Sequence, residues 1–128
     1  MKTIAVVEDN ADNRMLLKAI LTGAYELREY ASGHHALAAL TAPDRSLPDL
    51  VLMDISLVGM DGVEVLRRLR ADPRTRALPV IALTANAMHG DRERYLAAGF
   101  DDYVPKPIDE EEQLLEPVER LLARRPPA

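Results

Sequence analysis

The sequence predicts an α/β fold, a parallel sheet with helices on both faces. Three observations carry that prediction. Short β-branched runs alternate with longer helical patterns five times along the chain, and repeated β-α units build parallel sheets because each crossover helix returns the next strand in the same direction. Two of the runs, 49–54 and 78–85, are apolar almost without interruption, as strands covered on both faces are. The length of 128 residues suits one compact domain, and a chain of that size buries about 68% of its unfolded surface, enough for a core without staples.

The elements follow in order. KTIAVV (2–7) reads as the first strand. The segment 10–24 is a helix, with Leu16, Leu17, Ile20 and Leu21 at helical spacing and Gly23 as its stop. YELREY (25–30) alternates polar and apolar residues; as the most polar strand it belongs at a sheet edge. HHALAALTA (34–42) is helical and ends before Pro43. DLVLMD (49–54) is a buried strand. The helix over 61–72 carries Val65, Leu66 and Leu69 on one stripe, with Arg67, Arg68 and Arg70 mostly off it. LPVIALTA (78–85) is a second buried strand, so the first, third and fourth strands fall in the middle of the sheet. A helix over 88–98 closes on Gly99 in a left-handed cap. A short strand follows at 101–105, and the last helix spans 109–123. Pro117 breaks a local rule there: proline inside an unadapted helix costs about 3 kcal/mol. The helix is therefore kinked at Pro117, or a new one begins with Pro117 in its first turn. Residues 1–124 form one domain, and 125–128 read as a disordered tail or linker stub.

Composition removes several function classes. Acids outnumber bases 21 to 16, which argues against an electrostatically driven nucleic-acid binder. There is no Trp and one Phe, so base-stacking platforms are scarce. The absence of Cys excludes disulfides, thiolate zinc sites and thiol nucleophiles. No run approaches the roughly 18 apolar residues of a membrane span, and the apolar run after Lys2 stops at Val7, too short for a secretory leader. The expectation is a cytoplasmic protein with no nucleic-acid partner and no membrane insertion.

Polar residues punctuate the strand ends. Glu8 and Asp9 follow the first strand, Asp54 closes the third, Thr84 closes the fourth and Lys106 follows the fifth. Each alone has an ordinary use: acids near a helix start, a loop cap at Asp54, a β-branched strand residue at Thr84, a solvated lysine at Lys106. Their joint placement points to chemistry, because ligands of open α/β sheets bind beyond the carboxyl ends of the strands. The reaction that needs this set is phosphoryl transfer onto a carboxylate. Three acids against one lysine leave a negative pocket that would repel a phosphoryl group. A divalent cation offsets that deficit, and an all-oxygen donor set favours Mg²⁺, with Mn²⁺ an acceptable substitute. Asp54 is then the in-line nucleophile. The Thr84 hydroxyl donates to one phosphoryl oxygen and Lys106 binds another as a point charge.

With these residues in view, the sequence resembles the receiver domain of bacterial two-component response regulators, over roughly residues 3–123. The resemblance is carried by VVEDNADNRMLL (6–17), DLVLMDISLVGMDG (49–62), VIALTANAM (80–88) and AAGFDDYVPKPI (97–108), in that order and spacing. It implies a doubly wound, flavodoxin-like (βα)5 fold with strand order 2-1-3-4-5. It implies that Asp54 accepts a phosphoryl group from the histidine of a kinase or a histidine phosphotransfer protein, or from a small donor such as acetyl phosphate. By position, Asp9, Asp54 and the Ser56 carbonyl should ligate Mg²⁺, with Glu8 acting through a bound water. The Lys106–Pro107 peptide should be cis, which proline makes feasible. Thr84 and Tyr103 match the family's switch pair: Thr84 moves toward the new phosphate, Tyr103 takes the vacated space, and the surface of the fourth helix, fifth strand and fifth helix changes for a downstream protein target. The ordinary reading of Tyr103 is a half-buried edge-strand tyrosine. Ser56 and Asn86 hold positions that tune phosphoryl lifetime.

Where the family often has proline after the position of Leu57, this chain has Val58, which implies a freer loop. The run TANAM with AAGFDDY is most similar to receivers of hybrid kinases and single-domain regulators. Two other readings stand beside this one. A pseudo-receiver would bind partners without phosphate, against which the full Asp9, Asp54, Thr84 and Lys106 set argues. A Mg²⁺-dependent phosphatase would turn over a separate substrate through an aspartyl phosphate, but it needs an acid/base residue two positions after its nucleophile, and Ser56 fills that place poorly. His34 and His35 read as solvated, His89 as a possible neighbour of the site mouth, and the arginines from Arg67 to Arg76 as a solvated or docking strip.

Overall fold

The computed structural model describes residues 1–43, 46–85 and 91–124. Ten elements alternate: β1 (Thr3–Val7), α1 (Ala11–Leu21), β2 (Glu26–Tyr30), α2 (Gly33–Leu40), β3 (Leu50–Asp54), α3 (Gly62–Ala71), β4 (Val80–Thr84), α4 (Asp91–Ala98), β5 (Asp102–Pro105) and α5 (Glu112–Arg124). The strands form one parallel sheet in the order β2-β1-β3-β4-β5. The fold is thus the doubly wound, flavodoxin-like arrangement, with the polar β2 at an edge. No described helix is long and apolar enough to cross a membrane.

Alternation along the strands divides the core in two. Ile4 and Val6 of β1, Leu50 and Leu52 of β3, and Ile81 and Leu83 of β4 face α1 and α5, meeting Leu17, Leu21, Leu114 and Val118. The intervening residues, Ala5, Val7, Val51, Met53, Val80 and Ala82, face the other helices and meet Ala36, Leu40, Val65, Leu66, Leu69 and Tyr95. Because the period is two, the last residue of each strand is committed to one side of the sheet.

Helix starts are set by caps. Asn10, Ser32 and Asp61 each accept an amide three residues on, from Asn13, His35 and Glu64. Several boundaries differ from the sequence reading. Helix α1 ends at Leu21, short of Gly23, whose φ of +100° turns the chain into β2. Helix α2 starts one residue early, behind the Ser32 cap. The predicted start of α4 at 88–90 lies outside the described residues. Helix α5 begins at Glu112 rather than 109, because the Gln113 carboxamide oxygen accepts the amides of Asp109 and Glu110 and holds both in a turn. It then runs unbroken through Pro117, so no new helix starts there. Pro117 is buried, as are Leu114 and Val118 of the same helix.

The arginine strip is engaged within the fold. Arg67 and Arg68 both bond Glu64 and hold its carboxyl down to about 2. Arg70 reaches across to the carbonyls of Gly99 and Leu78. Arg74 donates to the carbonyl of Ala42.

Candidate functional site

Glu8 and Asp9 leave β1, Asp54 ends β3, and Lys106 follows β5, so the parallel sheet brings their side chains to one rim. By strand parity Glu8 and Asp54 belong to the α1/α5 side, with Ile4, Val6, Leu50 and Leu52. Ligand oxygens of Glu8, Asp9 and Asp54 lie within 4.8 Å of one another. Lys106 Nζ bridges two of them, donating to Glu8 Oε1 at 2.8 Å and Asp54 Oδ1 at 3.1 Å. The Ser56 amide donates to the same Asp54 oxygen at 3.2 Å. Among the described residues no hydrogen bond is made to Asp54 Oδ2.

The backbone fixes these groups. Ile55 donates to the carbonyl of Leu83 and Lys106 to that of Thr84, extending the ladder past the strand ends. Arg14 on α1 donates to the Glu8 carbonyl at 2.7 Å. Gly62, the first residue of α3, lies so close to Asp54 that a Cβ would fall 2.4 Å from its carbonyl oxygen. No other residue type fits there without moving the strand end. The Val58 amide donates to Asp9 Oδ2 at 3.1 Å. The loop after β3 is therefore tied to the acidic cluster by an N–H that proline would lack.

Burial and like charge shape the electrostatics. Glu8 is 1% exposed and Asp54 3%. Burial pushes the Glu8 carboxyl above its ordinary range; the hydrogen bond from Lys106 opposes this, and the nearby Asp54 carboxylate adds to it. For Lys106 burial acts downward, but the hydrogen bond to Glu8 and the charges of Asp54 and Glu8 outweigh it, so its pKa is raised and it stays protonated. A cavity of about 240 Å³ opens beside these two groups, walled by Leu16, Leu17, Pro107 and Ile108.

Thr84 belongs to the other side of the sheet. Its parity matches Val80 and Ala82, which face α4. Its hydroxyl lies 3.2 Å from that of Tyr95, on α4, in a buried contact. Tyr103 packs on the same side at the edge strand, partly buried, 6.3 Å from the Tyr95 ring centre. The sequence reading grouped Thr84 with the acids and passed over Tyr95. The Lys106–Pro107 peptide is cis. Asn86 and His89 lie outside the described residues.

The sequence model of the response regulator receiver domain matches residues 4–119. The chain belongs to this family. Receivers are signalling modules of two-component systems, and the relatives of this one include both response regulators and a signal transduction histidine-protein kinase. It is 42% identical over 107 residues to the response regulator PleD of Caulobacter vibrioides, covering 84% of this chain and 23% of that protein. It is 42% identical over 108 residues to the polar-differentiation response regulator DivK of Brucella ovis, covering 84% of this chain and 85% of DivK. This receiver thus spans about a quarter of PleD but most of DivK. Among solved structures, the receiver domain of the sensor histidine kinase PA1611 from Pseudomonas aeruginosa superposes with a TM-score of 0.84 at 36% identity, over 95% of this chain and 98% of that one. That crystal structure has a magnesium ion coordinated in its active-site cleft.

Proposed function

We propose that this receiver, over residues 1–124, accepts a phosphoryl group on Asp54 from the histidine of a kinase or phosphotransfer protein in a cytoplasmic His–Asp phosphorelay. The observation that carries the reading is the cluster of buried Glu8 and Asp54 with half-buried Asp9, in which Lys106 bridges Glu8 and Asp54. Its oxygen-only donor set fits Mg²⁺, or Mn²⁺ in its place. Asp9 and Asp54 would hold the ion with the Ser56 carbonyl, and Glu8 would act through a water. When bound, the ion supplies the positive charge that lets a phosphoryl group approach three carboxylates.

The chain's own groups do the rest. Lys106 and the Ser56 amide fix Oδ1 of Asp54, which leaves Oδ2 to attack phosphorus in line. The bond from phosphorus to the donor nitrogen breaks as the acyl phosphate forms. Lys106 then holds a phosphoryl oxygen by charge, and the Thr84 hydroxyl donates to another. Catalysis here is positioning and charge stabilisation, so the acceptor is its own catalyst and turns over no separate substrate. Ser56 and Asn86 hold the sequence positions that tune how long the phosphate lasts. Movement of Thr84 gives Tyr103 room to shift, changing the surface of α4, β5 and α5 that a downstream protein reads.

Intact-mass spectrometry after incubation with acetyl phosphate and Mg²⁺ tests the proposal. A single phosphoryl adduct is expected, lost in Asp54→Asn and lost without Mg²⁺. Failure to bind both acetyl phosphate and beryllofluoride would overturn it. Thr84→Ala should still take the adduct but bind its partner poorly.

A further inference from the structure

We propose that Tyr95 is the residue that holds Thr84 in the unphosphorylated position and so couples the acceptor to α4; this rests on the phosphoacceptor reading above. Parity puts the two sides of the site on opposite faces of the sheet. Glu8 and Asp54 face α1 and α5 with Leu83, while Thr84 shares its face with Ala82 and the α4 contacts. To donate to a phosphoryl oxygen on Asp54, the Thr84 hydroxyl must turn toward the rim and away from α4. What it turns from is a buried hydroxyl, since Thr84 is 1% exposed and Tyr95 3%.

The Tyr95 hydroxyl is fixed from several directions. Arg94 donates to it at 3.2 Å and lies 5.0 Å over its ring centre. The ring meets Phe100 edge-on at 6.1 Å and Tyr103 at 6.3 Å. A hydroxyl so held cannot follow Thr84. The O···O distance of 3.2 Å is already long for a hydroxyl pair, so a small rotation of Thr84 breaks the contact. Phosphorylation therefore replaces the Thr84–Tyr95 contact with one to the phosphate and releases Tyr95, and with it α4, beside the Tyr103 ring. Tyr95 touches no reacting atom; it is a positioning residue.

The test is beryllofluoride binding in saturating Mg²⁺ to the full chain, followed by amide shifts in NMR. Tyr95→Phe keeps the ring and removes the contact. It should bind beryllofluoride about 3- to 10-fold tighter, the size of one neutral hydrogen bond, with Mg²⁺ affinity unchanged. In a Thr84→Val background Tyr95→Phe should have no further effect, and in Thr84→Ser the tightening should return. In the unmodified chain the Tyr95 ¹³Cζ resonance should shift on saturation, a readout that needs no variant. Unchanged or weaker binding by Tyr95→Phe, an equal effect in Thr84→Val, or a stationary ¹³Cζ resonance would overturn the proposal while leaving the acceptor reading intact. No beryllofluoride binding by the unmodified chain would overturn both.

Discussion

The two rims of the sheet use the same residue types to opposite ends. At the amino ends of the strands Asp49 and Asp101 each meet a fixed donor. Asp49 accepts the Thr3 amide at 2.8 Å, and Asp101 accepts both the Val80 amide at 2.8 Å and Arg70 at 3.0 Å. The buried Thr75 hydroxyl donates to the Leu69 carbonyl at 2.6 Å. At the carboxyl ends three acids face one another with a single lysine between two of them. The first rim gains stability from its polar groups. The second gives up stability to keep Asp54 among its own kind of charge, as functional sites tend to do.

That contrast predicts a double dissociation. The largest effect is at Asp54: Asp54→Asn should abolish the acetyl-phosphate adduct yet leave the Tm in metal-free buffer equal to or above that of the unaltered chain, since one of three clustered charges is gone. A fall of several degrees would break the comparison. Asp101→Ala should do the reverse. It should take up phosphate at full stoichiometry while losing about 1–3 kcal/mol in urea unfolding, because it strips the Val80 amide of its acceptor and Arg70 of its carboxylate partner.

A smaller effect sharpens the site's side of the contrast. Glu8, raised above 4.5 by burial first, takes up its proton before an ordinary glutamate does. Its ionisation therefore costs stability at neutral pH, and that cost is relieved as pH falls through the raised value toward 4.5. Mg²⁺ affinity moves the other way, weakening as the carboxyl protonates. Calorimetric Mg²⁺ titrations between pH 7 and pH 5 should show several-fold weakening in the unaltered chain and less in Glu8→Gln. The smallest effect is at Glu64, whose carboxyl at about 2 owes its shift to two exposed arginines. Solvent screens such pairs, so Glu64→Gln should change neither adduct formation nor the Tm measurably.

Much of this was legible in the sequence because parallel sheets advertise themselves. Continuous apolar runs at 49–54 and 78–85 marked the central strands, and the polar 25–30 marked an edge. The acids and Lys106 at the strand ends could be gathered once the strands were parallel. Parity was equally available: counting from Val80 through Ala82 to Thr84 would have set Thr84 on the α4 side. Tyr95 gave no such signal, since DRERYLAA carries no clear apolar stripe. The start of α5 was hidden because three acids at 109–111 suit a helix N-terminus, and only Gln113 folding back excludes them. The approach of Gly62 to Asp54 joins residues whose sequence distance says nothing of a 2.4 Å gap.

The bridge from Lys106 to Glu8 spans 98 positions and that to Asp54 spans 52. During synthesis Asp54 is therefore made long before the lysine that bridges it to Glu8. At about 5–20 residues per second, translating those 52 positions takes roughly 3–10 s. For that interval a nascent chain carries Asp54 without the lysine that bridges it to Glu8. The topology thus delays assembly of the cluster until β5 and the residue after it have been made.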